Sequence, residues 1–146
     1  MEMYNSFDSK THGKARLEDV DVSFKDAVAV CRSIKGMETE KAIEYLEAVK
    51  EMKKAVKYTK YNKKMAHRKE LGGQKGRYPR KAGRIVLKVL KDAIANAESK
   101  GITGELEIVH ASANKKNVFR RIQPKGRQIY SNYETARIEI VVREKK

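Results

Sequence analysis

A chain of 146 residues carries 34 Lys and Arg against 19 Asp and Glu, a formal net charge of +15 and a pI near 9.9. That length suits one domain able to bury a core. A single cysteine excludes an internal disulfide and points to a reducing compartment. No apolar run approaches the roughly 20 residues of a membrane span, and the opening residues have neither the basic nor the apolar region of a signal peptide. The lack of Trp and an aromatic fraction of 7% argue against a large stacking platform for single strands.

Where the charge sits is more informative than its total. Lys53 to Lys81 holds twelve Lys and Arg and one acid, Glu70, and Ile108 to Tyr133 holds six and none. These segments carry +11 and +6, so the remainder of the chain carries −2. A near-neutral body with two cationic appendages indicates a polyanionic partner.

Residues 1–13 are polar and read as a mobile leader. Arg16 to Val22 offers a short strand with Leu17, Val20 and Val22 as its apolar members. Ser23 reads as a helix N-cap with Asp26 as a short capping-box partner. Phe24, Ala27, Val28, Cys31 and Ile34 follow at helical spacing, and Gly36 supplies the C′ position. Cys31 falls on the apolar stripe and reads as a small core residue. A second helix starts near Thr39, with Ala42, Ile43, Leu46 and Val49 inside, and its periodicity fades past Met52.

Residues 53–81 read as a basic insertion interleaved with Tyr58, Tyr61, Met65 and His67. Its run Leu71-Gly72-Gly73-Gln74-Lys75-Gly76-Arg77 reads as irregular backbone. The Gly and Lys spacing fails the nucleotide-triphosphate loop pattern, and a loop lying against phosphates fits better. Pro79 suits the first turn of a third helix and Gly101 its end. Between them Val86, Leu87, Leu90, Ala93, Ile94 and Ala97 form an apolar face, and the small residues Ala93, Ala95 and Ala97 allow close approach to a sheet.

Two strand-like segments close the chain. Leu106, Ile108 and His110 alternate on one face of the first. In the second, Ala136, Ile138, Ile140 and Val142 point one way and Arg137, Glu139, Val141 and Arg143 the other. Pro124-Lys125-Gly126 is the turn signal between them. The reading is a hairpin whose base lies on the core and whose arm, residues 114–135, projects about 30 Å at roughly 3.3 Å per residue. A bare ribbon with six cations cannot offset its ordering entropy of about 1–2 kcal/mol per residue. Folding of Lys115 to Tyr133 is therefore expected to be coupled to docking.

The element order gives an α+β domain: three helices packed on one face of a small, mostly antiparallel three-stranded sheet, with a long projecting β-hairpin. His12, His67 and His110 are widely separated and have no partner at ligand spacing, so no metal site or cofactor is indicated. No carboxylate pair or ordered nucleophile suggests catalysis.

Several segments carry a resemblance. Val22-Ser23-Phe24-Lys25, Ile34-Lys35-Gly36-Met37, Gly76-Arg77-Tyr78-Pro79-Arg80-Lys81-Ala82 and Ile94-Ala95-Asn96-Ala97 resemble the universal large-subunit ribosomal protein number twenty-two family. Ile108 to Lys115 and Ile138 to Glu144 extend the likeness over nearly the whole chain from about Arg16. The insertion around Ala66 to Lys69 and Gly72-Gly73 is similar to the archaeal and eukaryotic branch.

The resemblance implies a cytoplasmic structural constituent of the large subunit whose hairpin threads through rRNA to line the nascent-chain exit tunnel. Its partners would be large-subunit rRNA, neighbouring large-subunit proteins and the nascent polypeptide, with no membrane and no homo-oligomer. Carried over by position, the rRNA-binding residues are Lys60, Lys63, Lys64, His67, Arg68, Lys69, Lys75, Arg77, Arg80 and Lys81 of the insertion and helix start. In the arm they are Lys115, Lys116, Arg120, Arg121, Lys125 and Arg127. Gln123, Pro124, Lys125, Gly126 and Arg127 form the tip at the tunnel wall. A free-standing duplex-DNA protein would not explain the division of charge between loop and arm. A polybasic membrane protein would want an anchor, and Lys145-Lys146 is no prenylation box.

Overall fold

The computed structural model of the chain describes residues 4–8, 10–102, 104–122 and 131–145. In chain order the elements are β1 (His12–Val20), α1 (Phe24–Ile34), α2 (Thr39–Lys50), β2 (Val56–Lys57), β3 (His67–Arg68), β4 (Gln74–Arg77), α3 (Arg80–Glu98), β5 (Leu106–Phe119) and β6 (Tyr133–Glu144). The body sheet has the order β1-β6-β5, with both pairings antiparallel. One face carries Ala15, Ile108, Ala111, Ala113, Ala136, Ile138, Ile140 and Val142 into the core. α1 and α3 pack on that face and α2 packs mainly on α3, as the α+β reading expects.

α3 lies close because of two alanines and a glycine. Ala93 and Ala97 are buried while Ala95 is exposed, so only two of the three small residues face the sheet. They meet Gly13, where a Cβ would stand 2.5 Å from both the Ala93 carbonyl oxygen and the Ala97 methyl. Only a residue without a side chain fits there. Asn96, at the edge of that face, donates to the Lys14 carbonyl at 2.8 Å, and Lys100 donates to that of His12 at 2.9 Å. These bonds occupy carbonyls on the outer edge of β1, which β6 leaves unpaired.

Several details differ from the sequence reading. β1 runs over His12–Val20 and not Arg16–Val22, because its pairing starts at His12↔Arg143. Tyr4–Ser6 is a short 3-10 turn, and the Phe7 ring stands 5.7 Å from that of His110 on the sheet's outer face. His110 belongs to that face and not with Leu106 and Ile108. An extra residue in β5 between Ile108 and His110 shifts the register, and such a bulge turns following side chains over. Ser23 is the N-cap of α1 but makes no side-chain capping bond, and Asp26 accepts from the Tyr58 hydroxyl instead. The run after Leu71 is not irregular: Gln74–Arg77 is β4, the centre of a second sheet with order β2-β4-β3.

Candidate nucleic-acid interface

The insertion has a skeleton of its own. Val56 is fully buried, and the buried Tyr58 hydroxyl donates to Asp26 on α1 at 2.6 Å. Burial raises the Tyr58 pKa first, and the Asp26 carboxylate raises it further. Gly72 and Gly73 both have positive φ, which lets the chain reverse tightly between β3 and β4. At Gly76 a Cβ would lie 2.7 Å from the Val56 carbonyl oxygen, so β4 can approach β2 only through a glycine. Glu70 is absorbed within the insertion, accepting from Tyr78 at 2.8 Å and from the Ala55 backbone at 3.3 Å.

On this skeleton the expected binding residues differ in freedom. Lys60, Lys63, Lys64, Lys69, Arg77, Arg80 and Lys81 are exposed, and Lys75 is half-buried. His67 Nδ1 donates to the Gly73 carbonyl at 2.5 Å, which leaves Nε2 turned to other partners. Arg68 donates to the Gly76 carbonyl at 3.1 Å and lies over the Tyr78 ring at 5.2 Å. It braces the insertion. Lys81 pairs with Asp21 at 2.6 Å.

The arm is rooted differently. Pairing of β5 with β6 continues past Ala113, the last buried residue of β5, to Phe119↔Tyr133, and Ser131 donates to the Arg121 carbonyl at 2.8 Å. Val118, Phe119 and Ile122 are exposed beside the cations. The sequence reading counts six arm cations with no neighbouring acid, and the fold corrects this for two of them. Lys115 pairs with Glu134 at 2.5 Å, and Lys116 pairs with Glu18, which lies 98 residues earlier. Arg121 lies 5.0 Å from the Tyr133 ring, and Arg120 is exposed. Lys125 and Arg127, with the rest of the expected tip from Gln123 to Arg127, fall outside the described residues.

A polar knot holds that root. β1 has one extra residue between Leu17 and Val20, and β5 has one between Lys115 and Val118, both opposite the same short stretch of β6. Asp19, at φ +54, accepts from the Asn117 amide at 2.6 Å and from the Thr135 hydroxyl at 3.2 Å. Thr135 in turn accepts from the Asn117 backbone at 3.1 Å. Three strands are thus tied at one point. The hydrogen bond from Lys116 is the main cause of a lowered Glu18 pKa, and those from Lys81 and then Tyr133 lower that of Asp21. None of these acids carried a signal in the sequence, because their partners come from distant segments.

Between insertion and arm runs a groove of about 330 Å³, bounded by α1, by Lys60 and Tyr61, and by β5 from Ala111 to Lys115. Arg32 of α1 and Lys35, which follows the end of that helix, stand on its rim, and the sequence reading missed both. They lie on and just after a helix whose charge is otherwise unremarkable, so only the fold brings them beside Lys60 and Lys115. Among the described residues no group of three His, Cys, Asp or Glu could hold a metal ion, and no helix is long and apolar enough to cross a membrane.

Over residues 15–143 the sequence matches the family described as Ribosomal protein L22p/L17e. The chain belongs to that family. It is 45% identical over 125 residues to the large ribosomal subunit protein uL22 of Archaeoglobus fulgidus, covering 84% of this chain and 81% of that one. It is 41% identical over 133 residues to the uL22 of Picrophilus torridus, covering 90% and 88%. With the uL22 of Nitrosopumilus maritimus it shares 34% over 144 residues, covering 97% and 95%. L22p/L17e proteins have a structural, non-enzymatic ribosomal role, and the archaeal relatives agree with the branch that the insertion resembles.

Proposed function

We propose that this chain is a cytoplasmic constituent of the large ribosomal subunit that binds large-subunit rRNA through both basic appendages. The insertion docks its exposed cations against phosphates. The arm runs between RNA segments and brings Gln123 to Arg127 to the wall of the exit tunnel, beside the nascent polypeptide. Single copies sit among neighbouring large-subunit proteins. The observation that carries this reading is the continuation of β5 and β6 beyond the core. This paired ribbon carries Lys and Arg beside exposed Val118, Phe119 and Ile122. Nucleic acid offers surfaces that suit both kinds of side chain, phosphate for the cations and base or sugar for the apolar groups.

The test is a pair of sedimentation experiments at moderate salt. The full chain is expected to travel with large subunits. A variant in which an Asn-Gly turn replaces residues 116–133 is expected to join them more weakly, through the insertion, and to alter nascent-chain behaviour without loss of peptide-bond formation. Failure of the full chain to sediment with large subunits contradicts the reading. Complete exclusion of the shortened variant shows that the arm, and not the insertion, is the primary anchor.

A further inference from the structure

We infer that the groove between α1 and β5 is a pocket for an unpaired nucleotide of the RNA, joining the two basic appendages into one continuous surface. Its floor is small and apolar: Val28 and Cys31 from α1, Ala111 and Ala113 from β5. Two aromatic rings stand at one side, Phe24 and Tyr61, meeting edge to face at 5.5 Å. Tyr61 is 47% exposed although large and aromatic, and it is held there at φ +57. The cationic rim consists of Arg32, Lys35, Lys60 and Lys115, with Lys25 over the Tyr61 ring at 5.7 Å. No acid lines the groove, and the two nearby ones are engaged, Asp26 by Tyr58 and Glu134 by Lys115.

Each feature has a use in holding a nucleotide. A volume of about 330 Å³ lies at the lower end of small-ligand sites, which run from roughly 300 to 1,000 Å³. A base needs flat apolar surface and ring edges, which the floor and the aromatic pair provide. Its flanking phosphates need cations on the rim. β5 is the edge strand of the sheet, so alternate backbone N–H and C=O groups along Ala111 to Lys115 point away from β6. With the Asn114 amide, these can hydrogen-bond the exposed edge of a base, as single-stranded RNA readers do. A duplex keeps its bases stacked and paired and cannot offer a single one to the groove. The occupant is therefore single-stranded: a loop, bulge or end. An extended acidic peptide, added as a strand to β5, could also meet cations at such an edge. The aromatic pair beside the floor favours the base.

This inference rests on the RNA-binding reading above, and the experiment separates the two. The full chain is titrated with a fluorescent single-stranded RNA ten-mer of mixed sequence and with the duplex of that sequence. Tyr61→Leu keeps bulk and removes the ring, and is expected to weaken single-strand binding about five- to tenfold, the low end of one base-stacking contact. Duplex binding should change less than twofold. Lys35→Gln with Lys60→Gln should lower the single-strand log–log salt slope by about 1.4, equivalent to two phosphates. A ten-mer carrying 4-thiouridine should cross-link within residues 24–35, 60–61 or 111–115. Absence of RNA binding by the unaltered chain overturns both readings. RNA binding that is indifferent to these substitutions, or cross-links confined to other segments, overturns this one alone. Displacement of the oligonucleotide from the cross-linked groove by a poly-glutamate peptide at lower concentration than by unlabelled RNA also overturns it, and assigns the groove to protein.

Discussion

The insertion and the arm carry the same kind of charge but are held in opposite ways. The insertion is anchored by apolar and close-packed contacts: buried Val56 and Tyr58, and a glycine at 76 that lets two backbones meet. The arm has no buried residue beyond Ala113 on β5, and its root is fixed by carboxylates, an amide and a hydroxyl. Apolar burial itself carries no titrating group, whereas a knot of paired carboxylates weakens in acid. The contrast suits the proposed roles. A pre-formed insertion can dock as a rigid body, and we propose that the arm, rooted through polar groups, adjusts its fold against RNA.

Filling Gly76 should have the largest effect and should strike one side alone. Gly76→Val places side-chain atoms against the Val56 carbonyl, and overpacking of this kind costs about 1–3 kcal/mol. Residue-resolved hydrogen exchange should show protection lost over residues 56–77 while Asn114 to Phe119 keeps its own. Thr135→Val is the reciprocal change. It preserves shape but leaves the Asn117 N–H without its acceptor, at a cost of about 1–3 kcal/mol. Exchange should accelerate at the arm root and leave the insertion unchanged. Loss of protection in both regions from either substitution would merge what is described here as two independent devices.

Cys31→Ala gives the scale of a change in the body. It removes one small buried atom, so about 1 kcal/mol is expected from denaturant unfolding. Burial also pushes the thiol up to about 12, so a thiol reagent at neutral pH should leave the folded chain unmodified.

pH should separate the two regions with the smallest perturbation. The Glu18 and Asp21 pKa values are lowered from 4.5 and 3.8, so their contribution is full above those values and is lost as pH falls through the lowered ones. The Tyr58 value is raised from 10.0, so its contribution is full below pH 10 and is lost as pH rises beyond it. Acid should therefore loosen the arm root first, and alkali the insertion. Amide exchange followed from pH 3 to pH 7, corrected for intrinsic rates, should show an acid limb at the arm root and none over residues 56–77.

How much of this the sequence disclosed follows from the range of each interaction. α3 and β6 were legible because Val86, Leu90, Ala93 and Ala97 repeat at helical spacing and Ala136 to Val142 alternate, and both patterns are local. β2 and β3 were not, since strands of two residues carry no period. The position of His110 was misread because one extra residue in β5 inverts an alternation that the sequence records faithfully. The exposed cations of the insertion could be named from composition. The pairing of Lys116 with Glu18, the knot at Asp19 and the placing of Arg32 and Lys35 beside Lys60 all join segments far apart in the chain. No local pattern announces them.

The central claim is that both basic regions face rRNA, and limited trypsin digestion tests it most directly, comparing the free chain with purified large subunits that contain it. The free chain should be cut first at Arg120-Arg121, beyond the polar root, and more slowly at Lys60, Lys63 and Lys64. Within the subunit both clusters should be protected at least tenfold while Lys41 and Lys50 on the exposed side of α2 are protected less. Cleavage at Arg120-Arg121 and at Lys60 to Lys64 as fast in the subunit as in the free chain would contradict the account.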